Sequence, residues 1–245
     1  MEIAIAAETL FHLGFLPVTN TLLMTWFAMA VLIVVSFLIR QQLAQVPRGL
    51  QNIAETIIEQ AVDILEQITG DRHLAQRFFP IIFTFFLFIV TANWMGLLPG
   101  LGSVGFHEVE EGRSVFVPLL RSVHSDLTMT LALAITSVVM AQVMGFAVGG
   151  IGFAKRYLNF SNPIMFCVGI LEFFSELSKI LSFSFRLFGN IFAGEVLLTI
   201  IGHLVPFLAP LPFYGLELFV GLIQALVFSM LSLVFFTMMT AHAEH

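Results

Sequence analysis

The chain has 245 residues, of which 58% are hydrophobic and 11% charged, with a formal net charge of −6. A water-soluble domain carries about 25% charged residues, so this composition excludes an ordinary soluble enzyme and indicates an integral membrane protein. The acidic excess is scattered and there is no basic tract, which argues against nucleic-acid binding. Cys167 is the one cysteine, so an intrachain disulfide is excluded.

The N-terminal residues 1–19 are mildly apolar, contain Glu2 and Glu8, and lack a basic start. These features favour a short interfacial helix over a cleaved signal peptide. Further along, five apolar segments are long enough to cross about 30 Å of hydrocarbon. The sequence therefore predicts a single all-α membrane domain, residues 1–245, whose spanning segments cover residues 20–40, 77–99, 126–149, 162–204 and 211–241.

The segment 50–70 differs from these spans, because its polar residues are confined to one side. Isoleucine, leucine and alanine recur at helical spacing, while an acidic stripe lies opposite and comprises Glu55, Glu59, Asp63 and Glu66. The pattern predicts an amphipathic interfacial helix. Its acidic side is expected to face either water or a partner subunit. Residues 100–125 are predicted to form a polar connection, after which Ser125 or Asp126 caps the next span.

Segment 162–204 is about twice as long as a perpendicular span requires. It has no proline after Pro163, so it forms either two short spans or one strongly tilted helix. We predict the tilted helix, paired with 211–241 in a long hairpin. Such a hairpin is suited to wrapping around another object in the membrane.

The basic residues predict the orientation of the chain. Arg113 and Arg121 fall on one side of the predicted topology, and six other basic residues fall on the opposite side: Arg40, Arg48, Arg72, Arg77, Lys155 and Arg156. The side richer in Lys and Arg is expected to be cytoplasmic. The N-terminus is therefore predicted to lie outside and the C-terminus inside, with the two histidines of the tail in water.

A polar stripe runs through the apolar segment 162–204. A charge at the centre of a membrane helix costs about 2.5–3.5 kcal/mol on insertion scales, so intramembrane charges indicate function. Glu195 points to the opposite side of an ideal helix from the stripe. The members of the stripe lie within about 40° of one line: Glu172, Ser175, Lys179, Ser182, Arg186 and Asn190.

The chemistry of these residues divides them into fixed and exchangeable groups. Arg186 cannot give up its proton, so it acts as a permanent positive charge that favours the ionised form of a nearby carboxylate. Glu195 and Glu217 can take up and release protons. Asn190 and Gln224 can orient water or a side chain without changing charge, and Gln224 follows Glu217 by seven residues on the same helix face.

Several of these residues also have structural interpretations. Arg186 could pair with Glu172, Glu176 or Glu195 inside the chain. Lys179, three residues after Glu176, is expected to form a local ion pair. Five residues are candidates for the lining of an aqueous channel, namely Glu172, Glu176, Lys179, Ser182 and His203. The structural alternative places Glu172, Glu176 and His203 at the interface. Gly189 and Ala193 would let another helix approach closely.

The run SFRLFGNIFAGE, residues 184–195, resembles the signature of subunit a of rotary F-type ATP synthases. The resemblance extends to Glu172, to ELSKILS at 176–182, to Gln224 in LIQALVF and to ANWMGLLPG at 92–100. It covers the order of segments over most of the chain.

This resemblance implies a stator channel beside a rotating ring of c subunits, each with a membrane carboxylate. Two offset aqueous half-channels would load and unload those carboxylates. Arg186 matches the essential arginine that faces the ring, and Asn190 matches the polar residue one turn on. Glu195 and Glu217 match two proton-access positions, and Gln224 matches the glutamine beside the arginine.

The resemblance also implies the setting of the chain. The expected partners are the c-ring, the peripheral-stalk b subunits, the other ATP synthase subunits and the lipid bilayer, without nucleic acid. No cofactor or metal is expected, and nucleotide chemistry would belong to other subunits. The expected location is the bacterial plasma membrane rather than an organellar one.

The chain departs from the pattern of that family at three positions. Glu217 stands where many bacterial relatives have histidine, Ile180 replaces a proline often found after SK, and Glu176 adds a charge. The coupling ion can be H⁺ or Na⁺. An ion-coupled secondary transporter is a further alternative, but such proteins show repeated halves and broken helices, which this sequence lacks. A haem or quinone enzyme would need paired intramembrane histidines.

Overall fold

The computed structural model describes residues 8–14, 16–41, 49–98, 100–101, 104–110, 113–154, 157, 163–205 and 208–241. Within these ranges the fold is dominated by six helices: α1 Asn20–Gln41, α2 Leu50–Thr69, α3 Arg72–Gly96, α4 Leu127–Ala154, α5 Pro163–Leu204 and α6 Pro210–Ala241. By length and composition, α1, α3, the part of α4 up to Gly150, and α6 could each cross a membrane. The predicted all-α membrane fold is confirmed.

The amphipathic helix α2 is present as predicted. It ends because Gly70 adopts a left-handed conformation, with φ of 73°, and its N–H donates to the Glu66 carbonyl at 2.8 Å. Part of the acidic stripe is neutralised within the chain, since Arg72 Nη1 lies 3.1 Å from Asp63 Oδ1 and 2.8 Å from Glu66 Oε2. These groups are exposed, so the pairs contribute little stability.

The long segment that follows residue 162 forms one helix, α5, of 42 residues. The alternative of two short spans is therefore wrong, and the absence of an internal proline explains why the helix continues. Its tilt in the membrane stays a prediction. The helix α4, in contrast, is interrupted at Gly150, which has φ of 55° and ψ of −141°.

The expected interfacial helix at the N-terminus is wrong for residues 9–19. Instead, β1 Thr9–Leu13 and β2 Leu16–Thr19 form an antiparallel hairpin. Gly14 supplies a positive φ of 65° at the turn, and Pro17 is incompatible with the interior of a helix. Residues 1–7 lie outside the described part.

The polar connection contains a second hairpin, which the sequence analysis did not predict. Strands β3 Gly105–Glu110 and β4 Arg113–Pro118 pair in an antiparallel arrangement. Aromatic and β-branched residues favour strands, and this hairpin contains Phe106, Val115 and Phe116. A 3₁₀ turn, Val123–Ser125, then leads to α4.

The chain divides into two compact units. The first comprises residues 1–42, 86–130 and 186–226. Its core contains four residues that are at most 1% exposed, namely Met24, Ala28, Ala92 and Val123. Asp126 accepts hydrogen bonds from the Thr21 hydroxyl at 3.0 Å and from the Thr128 N–H at 2.9 Å. Of the two residues predicted to cap the third span, Ser125 and Asp126, the structure shows Asp126 in that role.

The second unit comprises residues 43–85, 131–185 and 227–245. Aromatic rings fill much of its interior: Phe78 meets Phe236 edge-on, with 5.6 Å between ring centroids, and Phe183 stacks on Phe235 at 5.3 Å. The hydroxyl groups of Ser137 and Ser232 lie 2.7 Å apart. The hydroxyl groups of this pair are thereby satisfied without a charged partner.

Some residues on which the orientation depends lie outside the described ranges. These are Arg48, Lys155, Arg156 and the C-terminal residues 242–245 with their two histidines. The placement of the N-terminus outside and the C-terminus inside the cell therefore stays a prediction.

Candidate functional site

One face of α5 in the first unit is not covered by the described chain. Arg186, Gly189, Asn190 and Ala193 recur at helical spacing, and all four are exposed. A Cβ added at Gly189 would have no atom within 4 Å. Ser182, earlier on α5, is exposed as well. The structure therefore leaves the surface formed by Arg186, Gly189, Asn190 and Ala193 exposed among the described residues.

Glu217 has the opposite environment, since it is only 6% exposed. Its carboxyl group lies directly over the backbone of Gly194, and a Cβ at that position would overlap the carboxyl atoms. A side chain at Gly194 would therefore exclude Glu217 from its present position. The glycine allows α5 and α6 to approach one another at the carboxylate.

Glu195, the neighbour of Gly194, forms an ion pair that the sequence analysis did not predict. Its Oε1 atom accepts a hydrogen bond from Arg121 Nε at 3.2 Å. The side chain of Arg121 is 9% exposed and that of Glu195 is 33% exposed. Glu195 Oε2 is buried and has no hydrogen-bond partner among the described residues. Glu195 is one of the three carboxylates that the sequence suggests as partners for Arg186, and the structure pairs it with Arg121.

Glu176 and Lys179, in the second unit, form the local ion pair that their spacing predicts. Lys179 Nζ donates to Glu176 Oε1 at 2.7 Å and lies 4.6 Å from the centroid of the Phe235 ring. Glu176 is 8% exposed. The two charges therefore compensate each other locally.

The side chains of the other candidate residues are half-buried or exposed. Glu172 and Gln224 are half-buried, while His203 is exposed near the end of α5. Gln224 lies two helical turns after Glu217 on α6, as its spacing indicates. The structure thus places Glu217 against Gly194, the residue before Glu195, and it leaves His203 at the surface.

A buried hydrogen-bond network joins α3, the 3₁₀ turn and α6 within the first unit. Asn93 Nδ2 donates to the Gly221 carbonyl at 3.1 Å, so the amide presents its Oδ1 to His124 Nδ1, 2.7 Å away. The network therefore assigns the proton of the imidazole to Nδ1. Complete burial lowers the pKa of His124 to about 3, which keeps the ring neutral, and Nε2 is left without a partner in the described chain.

Sequence reasoning missed Arg121, His124 and Gly194 as parts of this site. The sequence marks Arg121 only as one of the basic residues that predict orientation. No periodic pattern connects it to Glu195, 74 residues later. Gly194 lies within the run SFRLFGNIFAGE, but the need for a glycine at this position comes from the Glu217 side chain on another helix. Among the described residues, no group of three or more His, Cys, Asp or Glu side chains is placed to hold a metal ion.

Comparison with known proteins identifies the family. The family model described as ATP synthase A chain matches residues 22–237, which is most of the chain. The chain belongs to the ATP synthase A chain family. The predicted resemblance to subunit a is thereby confirmed, and with it the assignment to the ATP synthase membrane sector in place of the transporter and haem alternatives.

Members of the ATP synthase A chain family are similar to this chain over nearly its whole length. ATP synthase subunit a of Moorella thermoacetica is 32% identical over 226 residues, covering 92% of this chain and 93% of the relative. ATP synthase subunit a of Gloeobacter violaceus is 37% identical over 213 residues, covering 87% of this chain and 80% of the relative.

Proposed function

We propose that this chain is the proton-translocating stator subunit of an F-type ATP synthase. Two aqueous half-channels carry protons to and from the carboxylates of a rotating c-ring, and Arg186 separates the half-channels as an electrostatic gate. The observation that carries this proposal is that the charged side chains of the first unit differ in their exposure. Arg186 lies on an open face, whereas Glu195 and Glu217 are withdrawn from it.

The open face of α5 has the properties that contact with a moving ring requires. Gly189 and Ala193 are small and exposed, so another helix can approach the backbone closely beside Arg186. Asn190, one turn after Arg186, adds a polar group that does not change charge. A ring carboxylate passing this face meets a cation and then a neutral hydrogen-bonding group.

Arg186 acts by favouring the ionised form of the ring carboxylate. A guanidinium group stays protonated in proteins, so Arg186 cannot carry the translocated proton. A protonated ring carboxylate that approaches it releases its proton, and a proton cannot pass the fixed charge directly between the half-channels. Rotation is then coupled to proton movement.

Glu195 and Glu217 supply the exchangeable protons on the access path. Glu217 is held against Gly194, the residue before Glu195, so the two carboxylates belong to one site. Gln224, half-buried on α6, orients water or the ring carboxylate near Arg186. A histidine at position 217 would be cationic when protonated, whereas Glu217 is neutral in that state.

The same proposal defines partners and location. The c-ring contacts the Arg186 face, the b subunits of the peripheral stalk and the other ATP synthase subunits complete the enzyme, and the chain itself catalyses no nucleotide chemistry. It lies in a bacterial plasma membrane with its N-terminus outside and C-terminus inside, where α5 and α6 form a tilted hairpin around the ring.

Replacement of Arg186 tests the proposal. Arg186→Ala should abolish ATP synthesis driven by an imposed proton gradient, because the ring carboxylate then retains its proton. Assembly should be preserved, since the exposed side chain leaves no cavity when it is removed. Synthesis is measured in inverted membrane vesicles, and assembly by the amount of subunit a that copurifies with the c subunits.

Arg72→Ala provides a matched control, because this arginine also pairs with carboxylates but is exposed at the start of α3. It should support synthesis at the wild-type rate. Normal synthesis by assembled Arg186→Ala would contradict the proposal, and synthesis that requires Na⁺ instead of H⁺ would correct the coupling ion.

A further inference from the structure

Arg121 belongs to a segment that is fixed against the first unit immediately after it. A Cβ at Gly96 would lie 2.8 Å from Ser122 Oγ, so the segment packs closely on the end of α3. Val123 is 1% exposed in the core beside Met24. The segment therefore has little freedom to move with the arginine side chain.

Two polar side chains fix the rest of the segment. His124 is hydrogen-bonded to Asn93 on α3 at 2.7 Å, and Asp126 is bonded to Thr21 on α1 at 3.0 Å. Residues that support a functional group in this way keep it within the short distances that proton transfer requires. The backbone that follows Arg121 is thus held in place by α1 and α3.

The Arg121–Glu195 pair differs from an ordinary surface ion pair. Arg121 is 9% exposed, whereas Arg72, which pairs with Glu66, is 52% exposed. Glu195 is 33% exposed, so the pair is partly buried, and water and salt weaken it less than a fully exposed pair. Removing the Arg121 guanidinium group takes away the hydrogen bond to Glu195 Oε1, so the geometry at Glu195 depends on Arg121.

The two oxygen atoms of Glu195 have different environments. Oε1 is occupied by Arg121 Nε at 3.2 Å, while Oε2 is buried without a hydrogen-bond partner among the described residues. An ionised carboxylate oxygen has lone pairs that accept a proton or a hydrogen bond from water. Oε2 is thus the oxygen whose lone pairs are not used by the described residues.

We propose that Arg121 is a positioning residue of the proton-access path, which holds Glu195 by Oε1 and directs Oε2 to proton exchange. This inference rests on the proposed function. A hydronium ion in the path gives its proton to Oε2 and becomes water. The proton then leaves Oε2 for the next acceptor, and the carboxylate is restored. Arg121 keeps its own proton throughout, since a guanidinium group is not deprotonated in proteins.

The test measures passive proton conduction through the assembled membrane sector in vesicles from which the catalytic sector has been stripped. Arg121→Gln should lower conduction about tenfold or more, because a displacement of about 1 Å in a reacting group can reduce a rate 100-fold. Arg121→Lys should recover part of the rate, since the charge is retained. A role in apolar packing alone would not depend on that charge.

Two further variants separate positioning from general damage. Glu195→Asp keeps a carboxylate but withdraws it from Arg121, and it should reduce conduction as Arg121→Gln does. The double variant Arg121→Gln/Glu195→Gln should conduct no more slowly than Glu195→Gln alone, because both changes affect one step. Arg72→Gln, which removes an exposed arginine, should conduct normally.

The outcomes distinguish this inference from the proposed function. Wild-type conduction by Arg121→Gln, with Glu195→Gln and Arg186→Ala both defective, would overturn only the positioning role. Normal conduction by Glu195→Gln together with normal ATP synthesis by Arg186→Ala would overturn the proposed function as well. If Arg121→Gln does not assemble, Glu195→Asp decides: an unchanged rate would overturn the inference and a lowered rate would support it.

Discussion

Glu195 and Glu217 have the same side chain, but the structure gives them different neighbours. Glu195 has a guanidinium group at 3.2 Å and is one-third exposed, whereas Glu217 is buried against the backbone of Gly194. The two carboxylates therefore differ in their hydrogen-bond partners and in their access to water.

Replacement of Gly194 tests whether the position of the Glu217 carboxyl matters for proton passage. Gly194→Ala places a methyl group where the Glu217 carboxyl lies, so the carboxyl must turn away or the helices must separate. We expect passive proton conduction to fall about tenfold while the complex still assembles, as measured in stripped vesicles. Adding Glu217→Asp, which shortens the obstructed side chain, should restore part of the rate.

Gly202→Ala is the matched control on the same helix, because its Cβ would have no atom within 4 Å. It should conduct at the wild-type rate. Equal conduction by Gly194→Ala and the wild type would show that the position of the Glu217 carboxyl is unimportant for proton passage.

The helices are joined by short polar side chains at their ends. Asp126 both caps α4, through the Thr128 N–H at 2.9 Å, and accepts the Thr21 hydroxyl of α1 at 3.0 Å. Asn93 on α3 similarly donates to a carbonyl of α6 at 3.1 Å. These bonds set which residues lie opposite one another, a task that nonspecific apolar packing performs poorly.

Asp126→Ala should destabilise the full chain in detergent by about 1 kcal/mol for the lost cap and about 1 kcal/mol for the bond to Thr21. Asp126→Asn should be much milder, since Oδ1 still caps α4 and the amide can donate to the Thr21 hydroxyl. The measurement is the free energy of unfolding from denaturant titration. Equal losses for the two variants would contradict the capping role.

At the scale of the molecule, the chief feature of α5, a helix of 42 residues, is the exposed surface around Arg186. Ser182, Arg186 and Asn190 are exposed, whereas Leu187 is 1% exposed. Small exposed residues beside Arg186 let another helix approach closely. The proposed partner at this surface is the c-ring.

Cysteine cross-linking tests that contact. The exposed Cys167 is first replaced by serine, and a cysteine is placed beside the membrane carboxylate of the c subunit. Ser182→Cys and Asn190→Cys should then form an a–c product under oxidising conditions, while the buried control Leu187→Cys should not. Failure of both exposed positions, or equal products from all three, would refute the predicted ring-facing side.

Much of the fold was predictable because membrane helices are encoded locally. A run of apolar residues must satisfy its backbone hydrogen bonds internally, so α1, α3, α4 and α6 follow from hydropathy, and α2 from its amphipathic period. The N-terminal hairpin was not predicted, because residues 9–19 are few and their composition suits an interfacial helix as well. Pairing of β1 with β2 depends on the turn at Gly14.

Hydropathy and motifs in the amino-acid sequence were sufficient to predict a membrane protein, the family resemblance and the charged residues of α5. They also predicted that Arg186 and Glu195 point to different sides, since helical geometry relates residues on one helix. The pairing of Arg121 with Glu195 and the contact of Glu217 with Gly194 became visible in the folded chain. These pairs join distant segments, and no local period records which side chain of one segment reaches another.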